Sequence, residues 1–157
     1  MLVFTLAFLY VHLVFHVYGC PDGFITHGTQ CYHFSHDKEA YMIAQLVCEQ
    51  MGATLAKIDT QAEGNFLSAQ IHNVQTNGHH WIGLNDILEE GTWRWHTTGA
   101  LLTSDVANWD THEPNTSNPG LENCVVIKTD GKWGDDLCMA SYPYICEMTD
   151  GETGIIG

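Results

Sequence analysis

The stretch Glu122-Asn123-Cys124-Val125-Val126-Ile127-Lys128-Thr129-Asp130-Gly131-Lys132-Trp133-Gly134-Asp135-Asp136-Leu137-Cys138 decides how this chain is read. Its three β-branched residues, Val125, Val126 and Ile127, form a short apolar run that predicts a strand. Carboxylates flank that run, Glu122 before it and Asp135 and Asp136 after it, with an amide at Asn123. Carboxylate and amide oxygens are hard ligands, which suit calcium rather than zinc or copper. Cys124 and Cys138 bracket this donor set, and a bridge between them would lower the entropy cost of ordering it. Immediately upstream, residues 99–121 show almost no regular pattern and are rich in Thr, Ser, Asn, Asp, Pro and Gly. An irregular segment of that length in a small domain is usually functional. It adds Glu113-Pro114-Asn115, a further carboxylate and amide, to the oxygen donors.

Towards the N-terminus the periodicity turns helical. Residues 20–34 read as a short hairpin around Gly28. In residues 35–51 the apolar positions Ala40, Tyr41, Ala44, Val47, Cys48 and Met51 recur at three- and four-residue steps, which predicts a helix capped by Ser35 and stopped by Gly52. Thr60-Gln61-Ala62-Glu63 is a capping-box pattern that opens a second helix, with Ala62, Phe66 and Ala69 on one face. The period then becomes extended. Residues 81–84 read as an apolar strand, and Thr92-Trp93-Arg94-Trp95-His96 alternates as a half-buried strand does. Two helices followed by several short strands predict an α+β fold without a parallel crossover sheet. Trp81, Trp93, Trp95 and Trp133 are expected in the core, while Trp109 fits either core or loop.

The chain has 157 residues, with 5 Lys and Arg against 19 Asp and Glu, a formal charge of −14. Such an acidic surface repels nucleic-acid phosphates and anionic membranes and attracts cations. Residues 1–18 carry no charged side chain and are short for a membrane span, and Val17 and Gly19 fit the −3 and −1 positions of a secretory cleavage site after Gly19. The expected organisation is therefore a secretory signal peptide at 1–19, one domain at 20–148 and a tail at 149–157, with no membrane span after cleavage. All six cysteines follow the cleavage point, so an oxidising compartment predicts three disulfides; six cysteines allow 15 pairings, and spacing does not choose among them. No nucleophile motif is present, and Glu113 and Glu122 are better explained as cation ligands than as a glycosidase pair, so no enzyme is expected.

Taken in order, Trp81-Ile82-Gly83-Leu84, Trp109 ahead of Glu113-Pro114-Asn115, Glu122-Asn123-Cys124, Trp133-Gly134-Asp135-Asp136-Leu137-Cys138 and the ending Tyr144-Ile145-Cys146-Glu147 resemble the C-type lectin-like domain, in its long form with six cysteines. The opening Cys20-Pro21-Asp22-Gly23-Phe24 is similar to secreted invertebrate members, including the mollusc perlucin group. The resemblance implies two helices with short antiparallel sheets, a long calcium-binding loop, and the disulfides Cys20–Cys31, Cys48–Cys146 and Cys124–Cys138. It implies a cis bond before Pro114, and Ca2+ held by Glu113, Asn115, Glu122 and Asp135. The same residues would receive two neighbouring equatorial hydroxyls of a sugar. Glutamate before asparagine is the order associated with mannose, GlcNAc and fucose. Asp86, Glu90 and Asn123 would belong to a second calcium position, where Thr116 is a poorer match. Gly134 departs from the family, which has asparagine there. Glycine brings no amide oxygen or NH2, a loss of roughly 1–3 kcal/mol.

The resemblance thus implies a secreted calcium-dependent lectin of innate recognition. Its partners would be glycans with vicinal equatorial hydroxyls, and copies or oligomers would supply avidity. Two alternatives follow from the same residues, an acidic biomineral matrix protein and a calcium-independent protein-binding domain. One prediction needs only the implied pairing. A Cys48→Ser/Cys146→Ser variant opens the longest loop and should lose roughly 4 kcal/mol in urea unfolding; unchanged stability would refute that pairing.

Overall fold

The computed structural model describes residues 19–73, 78–115 and 120–150. The expected leader at 1–18, Thr116 and the tail beyond residue 150 lie outside them. The chain begins with a hairpin of Ile25–His27 (β1) and Gln30–Phe34 (β2), turned at Gly28 with φ 62°. Helix α1, Tyr41–Gln50, and helix α2, Gln61–Asn73, flank the short strand Thr54–Leu55 (β3). Strands then follow at His80–Asn85 (β4), Arg94–Trp95 (β5), Cys124–Ile127 (β6), Trp133–Asp136 (β7) and Ile145–Thr149 (β8). They form two four-stranded antiparallel sheets, ordered β1-β2-β8-β3 and β5-β4-β6-β7. This is the α+β arrangement that the sequence predicts. The three disulfides, Cys20–Cys31, Cys48–Cys146 and Cys124–Cys138, are those the resemblance implies.

Three local expectations are corrected. Helix α1 starts at Tyr41, not near Ser35, and Ser35 caps nothing. Its backbone N–H donates to the Tyr144 carbonyl, and Glu39 exchanges both backbone hydrogen bonds with Tyr142. Pairing with the chain ahead of β8 takes the backbone groups that a longer helix would need. The helix that remains buries Tyr41, Ala44, Gln45 and Cys48 and stops at Gly52, whose φ is 73°. In α2 the Thr60 hydroxyl accepts from the Glu63 N–H at 3.1 Å, as a capping box does. The buried face, however, is Glu63, Leu67 and Ile71, with Ala62 and Ala69 exposed. Glu63 turns inward because its carboxylate accepts from the Tyr32 hydroxyl and from the Asp59 N–H. Finally, only Arg94 and Trp95 of the stretch 92–96 are strand.

The two sheets meet where β3 and β4 cross. The Gly83 N–H donates to the Ala56 carbonyl at 2.8 Å, and the Ala56 N–H donates to Ile145 at 2.9 Å. A Cβ on Gly83 would lie 2.7 Å from the Leu55 carbonyl oxygen, so this crossing admits glycine alone. Core side chains fill both sides of it. Tyr32, Ile58, Leu67, Ile82, Trp95 and Trp133 pack in one cluster, and Tyr41, Leu55, Trp81, Val126 and Cys146 in the other. Trp81, Trp95 and Trp133 are buried as expected; Trp93 and Trp109 pack against the core while partly exposed. Ala at position 83 would force the backbones apart, so Gly83→Ala should destabilise the domain by about 1–3 kcal/mol. Thermal unfolding checks this, and an unchanged Tm would contradict the close crossing.

Candidate functional site

The site is assembled where the long irregular segment is stitched to β7. Asp110 donates its backbone N–H to the Trp133 carbonyl at 2.8 Å, and Trp133 donates to Asn108 at 2.9 Å. Trp109 packs edge-on to Trp133, with ring centroids 5.9 Å apart, and against Trp93 at 4.9 Å. From this anchor the chain makes a tight turn. The Glu113 N–H donates to the Asp110 carbonyl at 3.0 Å, and His112 takes the left-handed conformation at φ 71°. The Glu113–Pro114 bond is cis. The turn brings the residues on both sides of Pro114 together, and the Asn115 amide donates to a Glu113 carboxylate oxygen at 3.2 Å.

The opposite wall is β7. Its register with β6 pairs Val125 with Asp135 and Val126 with Gly134. The Asn115 backbone N–H donates to Asp135 Oδ1 at 3.0 Å. Asp135 is 8% exposed. Burial pushes its carboxyl up to about 7, helped by a hydrogen bond with Glu113 and opposed by the Asn115 N–H. Two carboxyls that face each other in a half-enclosed site cannot both ionise cheaply. A divalent cation between them would offset that cost. The donors are all hard oxygens, two carboxylates and an amide, so they fit calcium. Among the described residues no three His, Cys, Asp or Glu side chains form a metal-holding group. Glu113 and Asp135 stand with the Asn115 amide, whereas the expected third acid, Glu122, is half-buried just ahead of β6 and is not gathered into one metal-holding group with them.

Gly134 does leave a gap, and the gap is used. A Cβ at this position would lie 3.4 Å from Glu113 Oε1, 3.4 Å from Lys128 Cε and 3.6 Å from Lys128 Nζ. The ammonium of Lys128 is held by Asp110 Oδ2 at 2.6 Å, and that pairing draws the Asp110 carboxyl below the usual range. Sequence reasoning did not single out Lys128. The signal was present in the hairpin alternation: Lys128 is two residues beyond Val126, the partner of Gly134, and so shares its face.

A second group forms at the end of β4. Asp86 is buried; its Oδ2 accepts from the Gly91 N–H at 2.7 Å, and its N–H donates to the Asn123 carbonyl at 3.1 Å. Asp86 Oδ1 and Asn123 Oδ1 are both buried and make no hydrogen bond with the described residues. A Cβ on Gly120 would lie 3.7 Å from Glu90 Oε2, which places Glu90 beside the loop that carries Asn123. Burial, and secondarily the charge of Glu90, raise the Asp86 carboxyl, against the Gly91 hydrogen bond. Two orphaned buried oxygens on acid and amide groups are what a bound cation would satisfy. Asp86, Glu90 and Asn123 therefore lie at the same end of β4, with Asp86 and Asn123 joined through the backbone.

Residues 37–148 match the family described as the lectin C-type domain. The chain is 32% identical over 139 residues to human asialoglycoprotein receptor 2, covering 86% of this chain and 42% of the receptor, so it spans under half of that relative's length. It is 33% identical over 136 residues to human lithostathine-1-beta, covering 83% of this chain and 78% of that protein. Among solved structures, the cow CD23 carbohydrate-recognition domain, determined in the presence of a GlcNAc2Man3 oligosaccharide, superposes with a TM-score of 0.73. That match has 28% identity and covers 84% of this chain and 97% of the other.

The facing carboxyls generate a prediction about the cation-free protein. Glu113→Gln removes one of the two charges, so in EDTA at pH 8 the variant should be more stable than the parent by about 1 kcal/mol. Chemical unfolding measures this; a less stable variant would show that the two carboxyls do not oppose each other.

Proposed function

The chain belongs to the lectin C-type domain family, and from that premise we propose that it is a secreted, calcium-dependent lectin whose sugar site is Glu113, Asn115, Glu122 and Asp135. The observation that supports this best is the turn through Glu113 and Pro114, which sets a carboxylate and an amide against the buried carboxyl of Asp135. Asp86, Glu90 and Asn123 are proposed as a second calcium position that braces the same end of the domain. Glu113, Asn115, Glu122 and Asp135 would hold calcium, which would supply a Lewis-acidic centre for sugar hydroxyls. The chain's own groups then sort the ligand. Carboxylates of Glu113 and Glu122 accept the hydroxyl protons, and the Asn115 NH2 donates to a remaining lone pair. Glutamate ahead of asparagine orders acceptor and donor for mannose, GlcNAc or fucose. The CD23 domain, solved with a mannose-containing oligosaccharide, is consistent with that class.

Secretion is supported by the apolar leader and its small-residue cleavage site, and no helix among the described residues is long and apolar enough to cross a membrane. Innate recognition of microbial glycans suits such a protein. A second reading, a calcium-independent protein-binding domain, is favoured by one observation alone: Gly134 brings no oxygen, and a lysine lies over it.

A glycan array run with calcium and with EDTA separates the two. Mannose-type glycans should be retained with calcium and released by EDTA, and no retention in either condition would overturn the lectin assignment. Binding of the cation also requires Asp135 ionised. Since its carboxyl is pushed up to about 7, protons compete below neutrality. Calcium affinity measured by calorimetry should fall about tenfold from pH 8 to pH 6. A pH-independent affinity would show that Asp135 is not a ligand.

A further inference from the structure

We propose that residues 151–157, which follow β8, dock in an apolar groove beside helix α1, with Ile155 and Ile156 as the anchoring side chains. The groove has a volume of about 280 Å3 and is lined by Met42, Ile87, Leu88 and Trp95, together with Arg94 and His96. Three of its apolar side chains stand open to water: Leu88 is 87% exposed, Met42 54% and Ile87 46%. On α1, Leu46 lies one turn beyond Met42 on the same face and is also exposed, so the apolar surface runs on along the helix. Contiguous apolar surface around a concavity marks a place where something binds.

The end of β8 selects the occupant. That strand closes at Thr149, and the Asp150 N–H donates to the Thr29 carbonyl at 2.8 Å. Thr149 lines a neighbouring cavity with Gly52, Thr97 and Thr98. His96 and Gly99, which flank those two threonines in the chain, line the apolar groove. The two cavities therefore adjoin across one turn of chain. Helix α1 spans them, with Gly52 just past its C-terminal end in one and Met42 at its N-terminal end in the other. Ten residues along a helix make a step of about 15 Å. An extended chain covers about 3.3 Å per residue, so the fifth and sixth residues after Asp150 reach about 17–20 Å. Those residues are Ile155 and Ile156, the only large apolar side chains in 151–157. The spacer ahead of them, Gly151-Glu152-Thr153-Gly154, is small and polar and suits the threonine-lined cavity that it would cross. Two isoleucines bring apolar area and no polar group to desolvate. Ile87 and Leu88 belong to the loop that the Gly91 N–H closes onto Asp86 Oδ2, so the docked segment would hold that loop as well.

The test uses the intact chain in EDTA. Leu88→p-benzoylphenylalanine places a photo-crosslinker on the groove, and isotopically labelled and unlabelled chains are mixed before irradiation. Mass spectrometry should find crosslinks within single chains to residues 151–157, and Ile155→Ser/Ile156→Ser should abolish them. With Leu88 unchanged, the same double substitution should speed amide hydrogen exchange in residues 86–91 about tenfold. Crosslinks only between labelled and unlabelled chains would assign the groove to a second copy and overturn the proposal. So would crosslinks that miss 151–157 or persist in the serine variant, or exchange that the substitution leaves unchanged. Calcium is absent throughout, so none of these results bears on the lectin assignment.

Discussion

The site depends on two backbone hydrogen bonds, Asp110 to Trp133 and Trp133 to Asn108. Residues 99–115 have almost no regular secondary structure, so most of their conformational entropy must be opposed from outside the segment. The bridge does this at one point, and Trp109 secures it by packing against Trp93 and Trp133. Because β7 is itself locked in register to β6, the anchor fixes Glu113 relative to Asp135 to within hydrogen-bonding distance. Remove the bridge and the acids would remain in the sequence but not in one place. The tryptophans are thus as much a part of the site as the carboxylates, although none of them offers a ligand atom.

What was legible in the sequence divides along the range of the interaction involved. The glutamate, proline and asparagine at 113–115 act through a turn within a few residues, and so their meeting could be read directly. The same holds for the Thr60 cap and for the Gly52 stop. Ser35 misled because its competitor is distant: the Tyr144 carbonyl, more than a hundred residues on, takes its N–H. The α2 face misled because a buried glutamate is rare, and only the Tyr32 hydroxyl and the Asp59 N–H make burying Glu63 affordable. Lys128 lay between the two limits. It needed no distant partner, only the hairpin register carried two residues past Val126, and that step follows from alternation alone.

The charge of −14 can now be read by position. Burial, with Glu113 beside it, raises the carboxyl of Asp135, and burial, with Glu90 nearby, raises that of Asp86, and each raised carboxyl is destabilising to the cation-free fold at neutral pH and above. A protein under selection for stability alone would replace one member of each pair. Beside the second pair, Asp86 Oδ1 and Asn123 Oδ1 are buried without a hydrogen bond among the described residues, which is the observation behind the proposed second calcium position.

Gly83 and Gly134 are both buried glycines in adjacent parts of one sheet, yet they do opposite things. At Gly83 the backbone of β3 comes so near that a methyl group has no room, and glycine serves the fold. At Gly134 a Cβ would meet only side-chain atoms, at ordinary contact distances, so nothing in the fold demands glycine. A residue dispensable to the backbone in a binding wall is free to serve the ligand. Here its smallness leaves room for the side chain of Lys128, just beyond the end of the neighbouring strand, whose Cε and Nζ lie 3.4 and 3.6 Å from where a Cβ would stand.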